Sequence, residues 1–483
     1  MKDKIIFGFN SFFIKNTLFF FILCTIFFCP IAFAATPPSL PDPDRITFKP
    51  LSFTPPRAER VTLHNGLVLY ILANHELPLV KITAVIRTGS MYDPPEKEGL
   101  AELTGQVMRT GGIEGMTGSA LDEALESMAA ILTISIHRDS GVLSLSVLRN
   151  DREKGMELFS RILMKPRFEV EKLTLAKDLK IEELRRIADD PQKLAFREFG
   201  RLMHEGSPRG RLATANSVGR IQRDDLIRFH DRFYHPKNVM ISISGDINRH
   251  EAEALVNRHF GNWQSSEEKP EPLPFPRPKE GKVFFLPKDL PQSIVIFGWL
   301  VPAKKDAQFF PFTMIDFIVG SGGFRSRVFQ EIRTNQGLAY SAGSFYSARS
   351  GYGIFGAYTL TKSESTVKVI SLLRGIIEDI GKKPVPAKEL EITKNSILNR
   401  FIFSFTSVDQ IALQQLMIEY EDLPEDYLIT YRNNINNVNI KDVSRVAGEH
   451  LDPKKAIVLI VGNDTVYKEI SSLFQEIGKI ERP

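Results

Sequence analysis

The chain has 483 residues, 43% of them hydrophobic and 25% charged, with 62 basic against 58 acidic side chains. That composition excludes collagen-like, mucin-like and wholly disordered chains, and so balanced a charge gives no clustered basic face for nucleic acid to hold by counterion release. At roughly 100–200 residues per domain, the length accommodates two to four structural units.

Residues 1–34 read as a secretory signal peptide. Lys2, Lys4 and Lys15 give a basic start, an apolar run covers 17–33, and Ala32-Phe33-Ala34 offers a small-residue cleavage site before Ala35. The competing reading is a retained membrane anchor, although the run falls short of the roughly 20 residues a span needs. Cleavage implies a periplasmic or otherwise exported chain with no membrane attachment. It also removes Cys24 and Cys29, the only cysteines, and with them disulfides, Cys-zinc sites and thiolate nucleophiles. Residues 35–60, rich in proline, form an extended lead-in.

From Val61 the pattern becomes strand, Asn65-Gly66 turn, strand. A third strand covers 81–87. Helical periodicity follows over 99–109, 119–130, 152–163 and 170–187, with strands at 131–137 and 142–147, so the order is mixed α+β. The 131–137 strand is either a plain sheet strand or an edge that pairs with an extended peptide. Further along the chain a unit recurs. Asp225, His235-Pro236-Lys237-Asn238 and an apolar strand ending in Gly245-Asp246 are matched by Asp442, Asp452-Pro453-Lys454-Lys455 and a strand ending in Gly462-Asn463. Asp225 and Asp442, Pro236 and Pro453, and Gly245 and Gly462 are each 217 positions apart, which predicts one unit used twice. Between the copies, prolines 270, 272, 274, 276 and 278 alternate along 265–280, a stiff and extended linker. The lobes are then 61–264 and 281–483.

Several stretches resemble the pitrilysin/insulinase (M16) peptidase superfamily. They are Glu98-Gly99-Leu100-Ala101, Tyr234-His235-Pro236-Lys237-Asn238, and Gly320-Ser321-Gly322-Gly323-Phe324-Arg325-Ser326-Arg327 running on to Ile332-Arg333-Thr334-Asn335-Gln336-Gly337-Leu338-Ala339-Tyr340. The resemblance implies two tandem homologous lobes of mixed or antiparallel sheet with helices, closing like a clam. It also implies zinc-assisted peptide hydrolysis, for which the family's first-lobe helix carries H-x-x-E-H. Imidazoles at i and i+4 share one face of a helix and one metal, the intervening carboxylate activates the bound water, and a later carboxylate is the third ligand. Aligned on Gly99-Leu100-Ala101, this chain has Glu102-Leu103-Thr104-Gly105-Gln106 instead. Both histidines and the base are missing. The later acid is kept, as Glu183 or Glu182. None of the nine histidines is spaced as H-x-x-x-H, and His230 and His235, five apart, do not share a helical face. No zinc or other cofactor is expected in this chain.

The second lobe keeps an Arg and a Tyr. By resemblance, Arg333 hydrogen-bonds a substrate carbonyl, and the Tyr340 hydroxyl donates to that oxygen as it becomes an oxyanion. Gly337 predicts a helix end between them. The Gly320–Gly323 turn lacks the Gly-Lys-Ser/Thr of a phosphate loop. It is either a tight inter-helix turn or, with Phe324, a backbone-rich loop beside a bound peptide. A chain that loses the zinc set and keeps this pair resembles the non-catalytic subunit of a two-subunit M16 peptidase, whose zinc-bearing homologue is its partner. The alternative is an inert peptide-binding or assembly protein with the same fold.

Overall fold

The computed structural model describes residues 54–266 and 270–481, so the expected leader and most of the lead-in lie outside the described residues. In the first lobe the strands are β1 (Glu59–Thr62), β2 (Val68–Ala73), β3 (Leu79–Ile86), β4 (Ile131–Ile136), β5 (Gly141–Leu148) and β6 (Val239–Gly245). They form one sheet in the order β1-β2-β6-β3-β5-β4, which puts β4 on an edge. Along β5, Leu143, Leu145 and Val147 are buried and the serines between them less so, the period of two that turns one strand face to a core. The expected hairpin is present, turning over His64-Asn65-Gly66: β1 and β2 pair up to Thr62 and Val68, Leu63 donates to Leu67 O and Gly66 to Leu63 O, both at 2.9 Å. Its geometry is fixed by Gly66 at φ +91.

The helices of this lobe are α1 (Leu100–Thr110), α2 (Gly118–Ser127), α3 (Arg152–Met164), α4 (Val170–Ile187), α5 (Pro191–Met203), α6 (Ala215–Arg220), α7 (Arg223–Phe233) and α8 (Arg249–Phe260). The second lobe has β7 (Val283–Pro287), β8 (Gln292–Val301), β9 (Ala339–Ala348), β10 (Gly353–Lys362), β11 (Ile457–Gly462) and β12 (Gly478–Lys479), ordered β12-β7-β11-β8-β10-β9. Its helices are α9 (Phe309–Asp316), α10 (Thr366–Lys382), α11 (Ala387–Ile402), α12 (Val408–Tyr420), α13 (Tyr427–Asn437), α14 (Ile440–His450) and α15 (Asp464–Ile470).

The two sheets share one topology. In each, the pairing β2-β6-β3-β5-β4 or β7-β11-β8-β10-β9 starts with a parallel contact and continues antiparallel. The 217-residue offset also holds for helix limits, from Pro191 to Val408, Met203 to Tyr420, Arg223 to Ile440 and Phe233 to His450. This is the mixed α+β architecture of two repeated lobes that the sequence implied.

Each lobe lends a helix to the other. Helix α5 of the first lobe lays Leu194, Phe199, Leu202 and Met203 on the face of the second sheet that carries Ile294, Ile296, Ile457 and Leu459. In return, α12 lays Ile411, Ala412 and Leu416 on Tyr70, Leu72, Val85 and Met240 of the first sheet. This exchange is why β6 and β11 are buried on both faces, with Val458 and Ile460 in the second lobe's own core and Ile457, Leu459 and Val461 under α5. At about 1.5–3 kcal/mol per buried large apolar side chain, either helix contributes several kcal/mol of lobe–lobe adhesion. Polar clasps flank it: Arg60 grips Glu419 through Nε and Nη2 at 2.6 and 2.7 Å, Tyr70 donates to the same carboxylate, and Lys81 meets Asp409 at 2.5 Å. Among the described residues, no helix is long and apolar enough to cross a membrane.

Candidate functional site

The buried carboxyl of Asp93 sits before α1, where it accepts from the free amides of Gly99 and Ala101, both at 2.8 Å. Burial pushes its pKa up to about 7, against the lowering pull of those two bonds. The cap fixes the start of the helix that carries the altered motif. Within that motif, Leu103, Thr104 and Gly105 face the core, and Gln106 is exposed.

Glu102 accepts from Lys180 Nζ at 2.7 Å, and the same ammonium reaches Glu183 at 3.1 Å. The Lys180 side chain is only 10% exposed. Burial pulls its pKa down, but the charge and hydrogen bond of Glu102, with those of Glu183, outweigh burial and hold it above the ordinary lysine value. Glu182 turns the other way and pairs with Arg186 at 2.8 Å, so Glu183 is the acid that faces α1. At Gly105 a Cβ would lie 2.5 Å from Cγ1 of Ile136, so an edge-strand side chain fills the space a base would need.

These residues do not fit zinc. An ammonium stands between the two carboxylates that remain, and no third donor joins them. Among the described residues, no group of three or more His, Cys, Asp or Glu side chains could hold a metal ion. His230 is a buried core residue bonded to Leu163 O at 2.8 Å, and His235 is buried as well.

In the second lobe the glycine-rich stretch joins two wide helical turns, Phe317–Ser321 and Phe329–Asn335. Gly320 is required by close approach: a Cβ there would lie 2.1 Å from Ser344 N on β9. Behind it the buried Asp316 accepts from the Ser344 hydroxyl at 2.6 Å, and burial pushes its carboxyl up. Gly323 has φ +65 and open space around it. Phe324 is 75% exposed and packs edge-on against Phe329 at 4.9 Å, while the Arg333 guanidinium lies over the other partner of that contact, the Phe329 ring, at 4.7 Å. The fold thus links the glycine turn to Arg333 through Phe329, a residue the motif reading passed over.

The second wide turn ends as expected. Gly337, at φ +64, donates to Arg333 O at 3.2 Å, and Leu338 donates to Ile332 O at 2.9 Å. The chain then enters edge strand β9, where Tyr340 is 80% exposed. Arg333 has no ionic partner, and Tyr340 no hydrogen bond, among the described residues. Two further neighbours were missed. Arg400 of α11 stacks on Phe317 at 5.5 Å and reaches Ser321 O at 3.5 Å, and Phe403 just beyond it is 72% exposed. Lys180, three residues before Glu183, was the one missed residue with a sequence signal, the i,i+3 pairing of opposite charges.

Two repeated lobes with an altered motif on the first and an exposed Arg and Tyr on the second define a protein of the M16 peptidase type. Comparison agrees: the insulinase (peptidase family M16) model matches residues 70–211, and the peptidase M16 inactive domain model matches residues 220–397. The chain belongs to this family. It is 23% identical over 369 residues to an uncharacterized zinc protease of Rickettsia bellii, covering 76% of this chain and 86% of that one. It is also 23% identical over 394 residues to the non-peptidase homolog YmxG of Helicobacter pylori, covering 81% and 90%. A crystal structure described as a peptidase M16 inactive domain from Pseudomonas fluorescens superposes with a TM-score of 0.77 at 22% identity, over 84% of this chain and 98% of that chain.

Proposed function

We propose that this chain is the non-catalytic subunit of an exported, two-chain M16 peptidase, pairs with a zinc-bearing homologue, and supplies Arg333 and Tyr340 to that partner's active site. One contrast carries the reading. The first lobe's catalytic positions are closed by Lys180 and Ile136, whereas the second lobe leaves a guanidinium and a phenol exposed with no polar partner among the described residues. Such groups cost nothing to keep in the isolated chain and gain a use only against something outside it. Aimed at a carbonyl oxygen that becomes negative, a fixed cation and a neutral donor each lower the barrier by a few kcal/mol.

In this reading the chain itself holds no zinc. Gly320 to Phe324 border an extended peptide, and Phe324 and Phe403, both largely exposed, give the partner or peptide an apolar surface. Neither a nucleic acid nor, once the leader is cut, a membrane takes part.

The test is to mix the purified chain with the zinc-bearing homologue and follow cleavage of an unstructured peptide. Arg333→Ala or Tyr340→Phe in this chain should lower kcat/KM of the mixture by about 10²–10³-fold. Unchanged cleavage in both variant mixtures would remove the in-trans role. Peptide binding without turnover, whichever homologue is added, would favour the inert scaffold suggested by the name of the Helicobacter relative.

A further inference from the structure

At the seam between the lobes lies a cavity of about 430 Å³, within the range of small-molecule sites. It is bounded by Met91 and Tyr92 of the short helical turn Ser90–Tyr92, by the loop after β4, by Phe275 in the proline-rich segment, and by Tyr352 and Tyr420 of the second lobe. Its charge is one-sided. Four cationic side chains line it, among them Arg87, Arg209 and Arg349, against two carboxylates. Of these, Glu421 is already held by Lys304, and Asp139 faces Arg349 at 3.6 Å. Behind the wall sits a further guanidinium, Arg138, whose Nη1 is 3.5 Å from His204 Nε2. Burial above all, with the charge of Arg138 next, drives that imidazole down to about 4, so it is neutral near pH 7 and leaves the arginines as the cationic groups there.

The donors are also incompletely used. Arg209 gives Nη1 to Pro274 O at 3.0 Å, yet its Nε–H is buried with no acceptor among the described residues. A buried donor left unmade costs about 1–3 kcal/mol, which is recovered only when the side chain turns to meet an incoming oxygen. Guanidinium forks match the paired oxygens of carboxylate and phosphate, and aromatic rings wall the space around them.

We propose that this seam cavity binds a small ligand through a phosphate or carboxylate group, held by Arg209 and Arg349, and that the ligand bridges the two lobes. The site is independent of Arg333 and Tyr340 and stands whether or not the subunit reading above holds.

The experiment is calorimetric titration of the full chain at about 150 mM salt, where surface charge is screened beyond roughly 8 Å. The probes are inorganic pyrophosphate, an acetylated tetrapeptide with a free C-terminal carboxylate, and the same peptide as its C-terminal amide. Saturable binding of one probe per chain is expected, with a rise in melting temperature. Pyrophosphate alone binding would identify a phosphorylated ligand, and the acid binding without the amide would identify a peptide end. The double variant Arg209→Gln/Arg349→Gln should weaken the bound probe by at least about 10-fold. Should that variant unfold, Ser140→Glu, which adds a carboxylate to the cavity lining, should give the same loss in a folded chain. No saturable binding of any probe, or binding indifferent to both variants, overturns the proposal.

Discussion

Five strands of each lobe have the same order and pairing directions, and two pairs of helices stay in step at one offset, yet the lobes treat their reactive positions in opposite ways. In the first, the polar groups of the motif region are satisfied internally, with Lys180 against Glu102 and Glu183, and Ile136 over Gly105. In the second, Arg333 and Tyr340 are exposed, with no polar protein partner among the described residues. A fold that has lost its chemistry tends to close over the vacated place, because unpaired buried charge is expensive. Exposed charge is cheap, so the fold itself neither needs nor penalises Arg333 and Tyr340, and the subunit reading proposed above is what gives them a use.

The sharpest way to break the symmetry of the lobes is through the exchanged helices. Phe199→Ala on α5 removes a buried ring packed so closely on Gly298 that a Cβ there would lie 2.4 Å from its Cζ, and should cost about 3–5 kcal/mol. Leu416→Ala on α12, fully buried under the first sheet, should cost about 2–5 kcal/mol. Urea unfolding checks both. Each variant should unfold in one transition, since each helix belongs to one lobe by sequence and to the other by packing. Two separated transitions in either would show that the lobes do not depend on each other's helix.

The second test uses Asp93, the buried acid that accepts from the amides of Gly99 and Ala101 at the start of α1. With its folded pKa raised to about 7 over an ordinary 3.8, the buried Asp93 carboxyl binds its proton more tightly in the folded chain than in the unfolded one. Its contribution is therefore complete below pH 3.8 and is lost as pH rises toward 7, on the order of 4 kcal/mol over that window. Asp93→Asn should flatten the fall in stability between pH 4.5 and 7.5. A variant whose urea midpoint follows the wild-type pH curve would mean that Asp93 does not titrate there.

How much of this was legible beforehand follows from which interactions are local. The 170–187 helix was read to its ends because its periodicity and flanking residues are local, and the Gly337 stop because only glycine takes that left-handed cap cheaply. The repeat was visible at matched prolines and glycines, and the structure extends the same offset to whole helices. The exchange of α5 and α12 was not legible, since an amphipathic helix shows that it packs but not on which sheet. Nor was the filling of Gly105 by Ile136, a contact between residues 31 positions apart. The seam cavity draws its arginines from both lobes, and no motif connects them.

A third, smaller effect distinguishes a closed first-lobe site from a dormant metal site. Lys180→Met leaves two carboxylates, each about half exposed, facing each other without a cation, and should cost about 1–2 kcal/mol after discounting for solvent screening. The lysine's folded pKa is raised over 10.5, so its stabilisation is whole below pH 10.5 and disappears as pH climbs through the folded value. The variant should lack that alkaline loss. Metal analysis of the wild-type chain should find no tightly held zinc, and about one ion per chain would show that Glu102 and Glu183 hold a metal after all.

The smallest expected effect tests the other half of the contrast. Arg333→Ala should shift the stability of the isolated chain by no more than about 1 kcal/mol and Tyr340→Phe by no more than about 0.5 kcal/mol, because both side chains are exposed and neither ties two elements together. Arg333 stacks only on Phe329, four residues earlier on the same turn, a contact worth about 0.5–1 kcal/mol at most at an exposed site. Differential scanning calorimetry of the three chains settles it. Coincident melting curves, beside a large loss of cleavage in the partner mixture, would separate use from stability at these two positions. A substantial drop in melting temperature would instead make the pair a structural feature of the second lobe, and its exposure would need another cause.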